Sequence, residues 1–123
     1  MNTSSVLVVD DELLVRWSVT ETLADAGYGV QQAQDGESAL RVMGARGHPP
    51  DLVLLDVHLP DCADLGVLTS IRKMSPQTSV IVMTAHGSDE LTADARALGA
   101  FATLNKPFDM AVLPALVATA LAA

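Results

Sequence analysis

The sequence predicts an α/β domain built on one parallel sheet with helices on both faces. Five apolar runs of strand length alternate with five segments of helical length, and this alternation is typical of βα units. The runs at 5–9, 51–56 and 79–85 are apolar almost throughout, as expected for strands that are buried on both faces. The 123 residues fit one domain, and half of them are apolar, which suffices for a core.

The first half of the chain predicts three strands and two helices. Val15, Val19 and Leu23 recur every fourth residue, as on the buried face of a helix that Gly27 ends. Asp35 is placed to cap the second helix. The second strand is more polar than the others, so we expect it at an edge of the sheet. In order, these elements are strand 5–9, helix 11–27, strand 28–33, helix 35–47 and strand 51–56.

The second half continues the same alternation. Ser88 should start one helix and Gly99 should close it, while Asp109 should cap the last helix. Pro114 should start or kink that last helix, because proline cannot sit inside a straight one. In order, these elements are helix 64–74, strand 79–85, helix 88–99, strand 101–105 and helix 109–122.

The last predicted helix carries no charge after Asp109, although a surface helix normally has a polar face. Two explanations remain open at this point. Its outer side consists of small alanines, or that side is covered by a partner subunit or by a downstream domain.

Charge and composition exclude several classes of function. Fifteen acidic residues against seven basic ones give a net charge of -8, which opposes direct nucleic-acid binding by this domain. The single cysteine, Cys62, permits no internal disulfide and fits a cytoplasmic location. The N-terminus lacks the pattern of a signal peptide. The final apolar stretch is too short to span a membrane.

Polar groups follow four of the five predicted strands. Asp10 and Asp11 end the first strand, Asp56 the third and Thr84 the fourth, and Lys106 follows the fifth. Each alone has an ordinary explanation as a helix cap, a loop hydroxyl or a solvated lysine. Because parallel strands point their carboxyl ends to one edge of the sheet, where ligands bind, the set together favours a functional site.

The chemistry of these groups indicates phosphoryl transfer. Three carboxylates close together need a cation, and all-oxygen ligands suit Mg²⁺. A carboxylate can act as a nucleophile on phosphorus and form an aspartyl phosphate. Mg²⁺, Lys106 and the Thr84 hydroxyl would then neutralise and orient the phosphoryl group.

The motifs "VLVVDDE", "LVLLDVHLPD", "VIVMTAHG" and "NKPFD" occur in this order and resemble the receiver domain of two-component response regulators. The resemblance covers about residues 5–121 and is greatest to receivers of the NtrC type, which control transcription activators. It implies a flavodoxin-like (βα)5 fold with strand order 2-1-3-4-5. It also implies that residues 1–123 form one receiver domain without an effector domain.

The resemblance assigns a role to each site residue. Asp56 is similar to the phosphoacceptor, and Thr84 and Lys106 are similar to the switch hydroxyl and the phosphoryl-pairing lysine. Mg²⁺ would be held by Asp10, Asp11, Asp56 and the backbone carbonyl of His58. Pro107 follows the lysine in what is commonly a cis-peptide position.

The resemblance also implies partners. The phosphodonor would be a phosphohistidine on a sensor histidine kinase. Phosphorylation would change what the α4–β5–α5 face binds, whether an effector domain, a partner protein or a second copy in a homodimer. Such a domain assists its own phosphorylation and dephosphorylation but is not a turnover enzyme.

Two positions depart from the family pattern. Thr103 stands where receivers usually carry a tyrosine or phenylalanine that moves inward on activation; Phe101, two residues earlier, should share its face of the strand and is the candidate substitute. Asp64 stands where a glycine is expected after the phosphoacceptor. Either the loop has a different shape there, or Gly66 absorbs the turn.

His58 and His86 lie two residues beyond Asp56 and Thr84. With Cys62 they raise the possibility of zinc, but neither the spacing of a closed site nor a fourth ligand is evident. We expect these histidines, with Ala85, to flank the phosphoryl group and to tune its access to water. His48 has the character of a plain loop residue.

Three other functions compete with a phosphorylation-driven module. Thr103 and Asp64 favour a phosphorylation-independent interaction domain, whereas the complete acidic group and Lys106 argue against it. An aspartate-based phosphohydrolase would need an acid two residues after the nucleophile, where this chain has His58. A flavin carrier of the flavodoxin type would need a hydroxyl-rich loop after the first strand, where this chain has "DDE".

Overall fold

A five-stranded parallel sheet in the order β2-β1-β3-β4-β5 forms the centre of the molecule in a computed structural model, which describes residues 3–45, 47–62 and 64–123. This confirms the α/β class and the strand order that the resemblance implied. The strands are β1 (Ser5–Val9), β2 (Gly29–Ala33), β3 (Leu52–Asp56), β4 (Ser79–Thr84) and β5 (Ala102–Asn105). The helices are α1 (Leu13–Asp25), α2 (Gly36–Met43), α3 (Gly66–Met74), α4 (Asp89–Ala97) and α5 (Leu113–Ala122).

The sheet separates two hydrophobic clusters. Successive side chains of a strand point to opposite faces, so Val53 packs in one cluster and Leu54 in the other. The first cluster lies under α2, α3 and α4, and the second lies under α1 and α5. All five residues of β3 are buried, as predicted for a strand covered on both faces.

Most predictions made from local sequence patterns are confirmed. The Asp35 carboxylate accepts a hydrogen bond from the Ser38 N–H, and the Ser88 hydroxyl accepts one from the Leu91 N–H, so both residues cap helices as predicted. Val19 and Leu23, on the inner face of α1, are fully buried. The polar strand β2 lies at the edge of the sheet. The last residues of the predicted helix 35–47 lie beyond the end of α2, and residue 46 is outside the described ranges.

The start of the last helix differs from the prediction. Met110–Val112 form a 3₁₀ turn, and the α-helix begins only at Leu113. Pro114 has no N–H to donate to the carbonyl of Met110, so an α-helix cannot run through this point, and proline is well suited to a first turn. Asp109 still acts as a cap, because its carboxylate accepts from the Ala111 N–H at 2.9 Å.

The outer side of α5 is made of small residues. Its buried face is formed by Leu113, Val117 and Ala120. Its exposed positions are Ala115, Ala118, Thr119 and Ala122. This arrangement fits the first explanation for the missing charges, an alanine-rich helix of which only small side chains face solvent.

The loop between β3 and α3 is held by two carboxylates instead of a glycine turn. The Asp64 carboxylate accepts from the Gly66 N–H at 2.8 Å. Neither residue has a positive φ, so the alternative that Gly66 absorbs the turn is wrong. Asp61 reaches α2, where its two oxygens accept from the N–H groups of Gly36 and Glu37 at 2.8 and 2.9 Å.

We expect Asp61→Asn to reduce stability at neutral pH and to leave it nearly unchanged in acid. The two donated N–H groups hold the pKa of Asp61 below its ordinary value. Its stabilising contribution is therefore complete above the unfolded pKa of about 4 and is lost as the pH falls through the lower folded pKa. Urea unfolding of both proteins between about pH 3 and pH 6 tests this, with Asp25→Asn, at the end of α1, as the control. If the unfolding free energies of the wild type and of Asp61→Asn differ by the same amount at every pH, the prediction is wrong.

Within the described ranges, no helix combines the length and the apolar character needed to cross a bilayer.

Candidate functional site

The carboxyl ends of four strands bring the predicted site residues together. Asp10 follows β1, Asp56 ends β3, Thr84 ends β4 and Lys106 follows β5. Asp10, Asp56 and Thr84 are buried, with exposures of 0%, 2% and 0%. Asp11 is exposed beside them. The parallel arrangement of the sheet thus places groups that are up to 96 residues apart in sequence (10 to 106) at one edge.

Lys106 is the cation that meets the buried carboxylates. Its Nζ lies 2.7 Å from Asp10 Oδ2, 3.1 Å from Asp56 Oδ2 and 3.4 Å from Glu12 Oε1. Burial alone would lower the pKa of Lys106, but its hydrogen bonds and charge interactions with Asp10 and Asp56 outweigh burial and raise that pKa. The lysine therefore stays charged, which explains how a carboxylate can end a buried strand.

The negative charge of the buried Asp10 carboxylate is only partly offset by Lys106. Its Oδ1 accepts from the Glu12 N–H at 2.8 Å. Its buried Oδ2 is paired with the Lys106 ammonium at 2.7 Å. Burial raises the pKa of Asp10 and is opposed, but not overcome, by Lys106 and the Glu12 N–H. A buried carboxylate whose charge is only partly offset in this way is a ready ligand for a cation.

The donor set fits a hard divalent cation. Asp10, Asp11, Glu12 and Asp56 each offer one oxygen, and these oxygens lie within 4.8 Å of one another. Oxygen ligands of this kind suit Mg²⁺ or Ca²⁺ more than zinc. Among the described residues, this group contains neither histidine nor cysteine, so the zinc interpretation gains no support.

Glu12 is a site residue that the sequence analysis did not assign. It is exposed and reaches Lys106 from the start of α1. The available signal was its position as the third acidic residue of "VVDDE". A carboxylate there looked like part of the first helical turn, since the helix was predicted to begin at Asp11.

The two flanking histidines contact Thr84 directly. The Thr84 Oγ1 accepts from the His86 N–H at 3.0 Å and lies 3.1 Å from His58 Nε2. The two imidazole rings pack edge to face with centroids 5.6 Å apart. His58 also donates its backbone N–H to Asp56 Oδ1 at 2.9 Å. The sequence predicted only that the two histidines flank the site, whereas in the structure both contact Thr84.

An open cleft of about 330 Å³ lies over the site. Its lining includes Asp56, Lys106, Ala85 and His86. The Lys106–Pro107 peptide bond is cis, as the resemblance implied. The cleft thus borders the Asp56 carboxylate.

The candidate switch residues lie on opposite faces of the sheet. Thr103 pairs in register with Val82, which belongs to the first cluster, so Thr103 faces the side of α4. Phe101 precedes β5 and packs against the second cluster, on the side of α1 and α5. The prediction that Phe101 shares a face with Thr103 was therefore wrong, because strand alternation does not extend to a residue outside the strand.

An exposed apolar patch borders the site at the start of α1. It comprises Leu13, Leu14 and Trp17, which are 66%, 77% and 57% exposed, and Val112, which is 44% exposed. The 3₁₀ turn that carries Val112 packs beside α1. Large exposed side chains of this kind are typical of contact surfaces for other proteins.

The fold and the site together define a class: doubly wound α/β domains with a lysine-paired carboxylate site at the carboxyl edge of the sheet. A family model described as the response regulator receiver domain matches residues 6–118. The chain therefore belongs to the response regulator receiver domains of two-component signalling.

Named relatives agree with this assignment. The DNA-binding transcriptional regulator NtrC of Escherichia coli (strain K12) is 35% identical over 121 residues, which are 98% of this chain and 25% of NtrC. The chain thus spans about a quarter of that relative. Sporulation initiation phosphotransferase F of Bacillus subtilis (strain 168) is 33% identical over 110 residues, 89% of this chain and 87% of that protein. A CheY-like receiver domain structure from Methanospirillum hungatei JF-1 matches with a TM-score of 0.91 at 26% identity, covering 98% of this chain and 95% of that one.

Proposed function

We propose that this chain is a phosphoacceptor domain in which Asp56 takes a phosphoryl group from a phosphohistidine of a sensor kinase. The proposal rests on the environment of the Asp56 carboxylate. It is 2% exposed, lies 3.1 Å from the Lys106 ammonium and belongs to a group of four clustered carboxylates. The two buried carboxylates, Asp10 and Asp56, share one ammonium, and this arrangement has a cost that phosphoryl transfer chemistry explains.

The transfer is a displacement at phosphorus. An oxygen of the Asp56 carboxylate forms the new P–O bond, the P–N bond breaks, and its electron pair returns to the donor imidazole. Lys106 balances the charge of the phosphoryl oxygens, and the Thr84 hydroxyl donates a hydrogen bond to one of them. Asp10, Asp11, Asp56 and the carbonyl of His58 would hold Mg²⁺. When bound, this ion would neutralise the carboxylates and the phosphoryl group.

The output would be a shift between two conformations that changes the α4–β5–α5 face. Asp10, Asp56, Thr84 and Lys106 supply the phosphorylation groups. NtrC, which is named as a transcriptional regulator, suggests that an effector attached to or bound by this domain acts on transcription, in the cytoplasm. A homodimer through the same face is one form of that output. The domain accepts a phosphoryl group and is not a turnover enzyme.

Intact-mass measurement tests the phosphoacceptor proposal. The chain is incubated with Mg²⁺ and a small acyl-phosphate donor, beside an Asp56→Asn control. One added phosphoryl group in the wild type is expected, and none in the control or in the presence of EDTA. A folded wild-type protein that gains mass neither from this donor nor from a phosphorylated kinase would contradict the proposal.

The apolar patch is a suitable docking surface for the kinase, because Leu13 and Leu14 directly follow Asp11 and Glu12, which line the cleft through which the donor must reach Asp56. We expect Trp17→Ala to slow phosphotransfer from a histidine kinase that phosphorylates the wild type by at least about tenfold. Phosphorylation by a small acyl phosphate should not change, since that donor needs no docking. Met74→Ala is a matched control, because Met74 is 47% exposed at the end of α3. Equal slowing with both donors would show that Trp17 acts on the site and not on docking.

A phosphorylation-independent interaction domain is the second candidate. Thr103 replaces the usual aromatic residue, and Phe101 packs on the opposite side of the sheet, so the aromatic half of the switch has no substitute at these two positions. Beryllofluoride, which mimics an aspartyl phosphate, separates the candidates. Binding that requires Mg²⁺ and changes the NMR signals of α4 and β5 supports the switch; a folded protein that binds none supports the alternative.

A further inference from the structure

We propose that His58 is a positioning residue that holds the Thr84 hydroxyl in its resting place and competes with the phosphoryl group for it. This inference rests on the proposed function, in which that hydroxyl donates to the phosphoryl group on Asp56. The His58–Thr84 contact is a latch that the conformational change must open.

The latch follows from the hydrogen-bonding capacity of one buried hydroxyl. A threonine hydroxyl has one proton and two acceptor positions. The His86 N–H takes one acceptor position at 3.0 Å, and His58 Nε2 at 3.1 Å occupies either the proton or the second acceptor position. Among the described residues, this hydroxyl makes no hydrogen bond with Asp56. The latch requires the tautomer in which Nε2 accepts the hydroxyl proton, because that proton must then leave the imidazole before the hydroxyl can donate to a phosphoryl group.

His58 also connects the hydroxyl to the phosphoacceptor. Its backbone N–H donates to Asp56 Oδ1 at 2.9 Å, while its ring contacts Thr84. The edge-on packing of His86 restricts the orientation of that ring. One residue thus contacts the phosphoacceptor through its backbone and the switch hydroxyl through its side chain. The identity of residue 58 therefore sets how readily Thr84 engages the phosphoryl group.

Beryllofluoride affinity in the presence of Mg²⁺ tests the competition. Loss of one neutral hydrogen bond in the resting state should tighten the binding of beryllofluoride to His58→Ala about fivefold. His58→Gln, whose amide can reach Thr84, should restore an affinity near that of the wild type. His48→Ala, an exposed loop histidine, is the control and should change nothing. Equal affinities for the wild type and His58→Ala would overturn the proposal.

The ¹⁵N signal of His58 Nε2 reports the hydrogen bond to Thr84 directly, independently of any effect of a substitution on stability. In the resting protein, Thr84→Ala should shift this signal, whereas Thr84→Ser, which keeps the hydroxyl, should not. Beryllofluoride added to the wild type should shift it in the same direction as Thr84→Ala. A signal that is insensitive to Thr84→Ala would overturn the latch even if beryllofluoride binds. A wild type that binds no beryllofluoride would instead contradict the proposed function, and the resting-state comparison would still decide the His58–Thr84 contact.

Discussion

Replacing Lys106 with methionine is expected to lower the free energy of unfolding by about 3 to 5 kcal/mol at pH 7 without divalent cations. Methionine keeps an unbranched apolar stem but removes the ammonium that faces Asp10 and Asp56 at 2.7 and 3.1 Å. Two buried carboxylates then lack a counter-charge. Urea unfolding of the two proteins measures the difference.

The other lysine of the chain provides a matched control. Lys73 is exposed on α3, so Lys73→Met should change stability by less than about 0.5 kcal/mol. Added Mg²⁺ should restore part of the stability lost in Lys106→Met, because it supplies positive charge to the same carboxylates. A Lys106→Met protein as stable as the wild type in EDTA would show that this lysine does not compensate the buried charges.

Asp10→Asn should have the opposite effect on stability. One ammonium faces the four clustered carboxylates, and the pKa of Asp10 is raised by burial. Removing its charge should therefore stabilise the metal-free protein by about 1 kcal/mol at pH 7. The raised pKa means that the ionised form costs stability at neutral pH. The gain should disappear as the pH falls below about 4, where Asp10 is protonated in both states.

The same substitution should weaken Mg²⁺ binding at least about tenfold, because it removes a charged oxygen ligand. Asp11→Asn separates the two effects. Asp11 is exposed, so its replacement should weaken Mg²⁺ binding but leave the stability in EDTA nearly unchanged. Titration calorimetry and urea unfolding give the two quantities. Loss of stability in Asp10→Asn would contradict our account of the buried charge.

The fold was predictable because its signals are strong and local. An unbroken apolar run such as 51–56 fits a strand covered on both faces, and Asp35 and Ser88 stand directly before helical segments. The convergence of Asp10, Asp56 and Lys106 also followed from strand ends alone, since parallel strands deliver them to one edge.

The remaining features depend on contacts that no local pattern encodes. Phe101 was assigned to the wrong face because it lies just outside β5, where alternation no longer applies. The contact between His58 Nε2 and Thr84 joins residues 26 positions apart and depends on ring orientation. Glu12 was missed because the start of α1 at Leu13 places it in the loop that faces Lys106.

Locating the phosphoryl group on the chain shows directly whether Asp56 is the phosphoacceptor. The protein is phosphorylated with Mg²⁺ and an acyl phosphate, reduced with borohydride, which converts an aspartyl phosphate to homoserine, and sequenced by peptide mass spectrometry. Our account predicts homoserine at position 56 and at no other aspartate. Homoserine at position 10 or 11, or none in a folded protein that has gained phosphoryl mass, would contradict it.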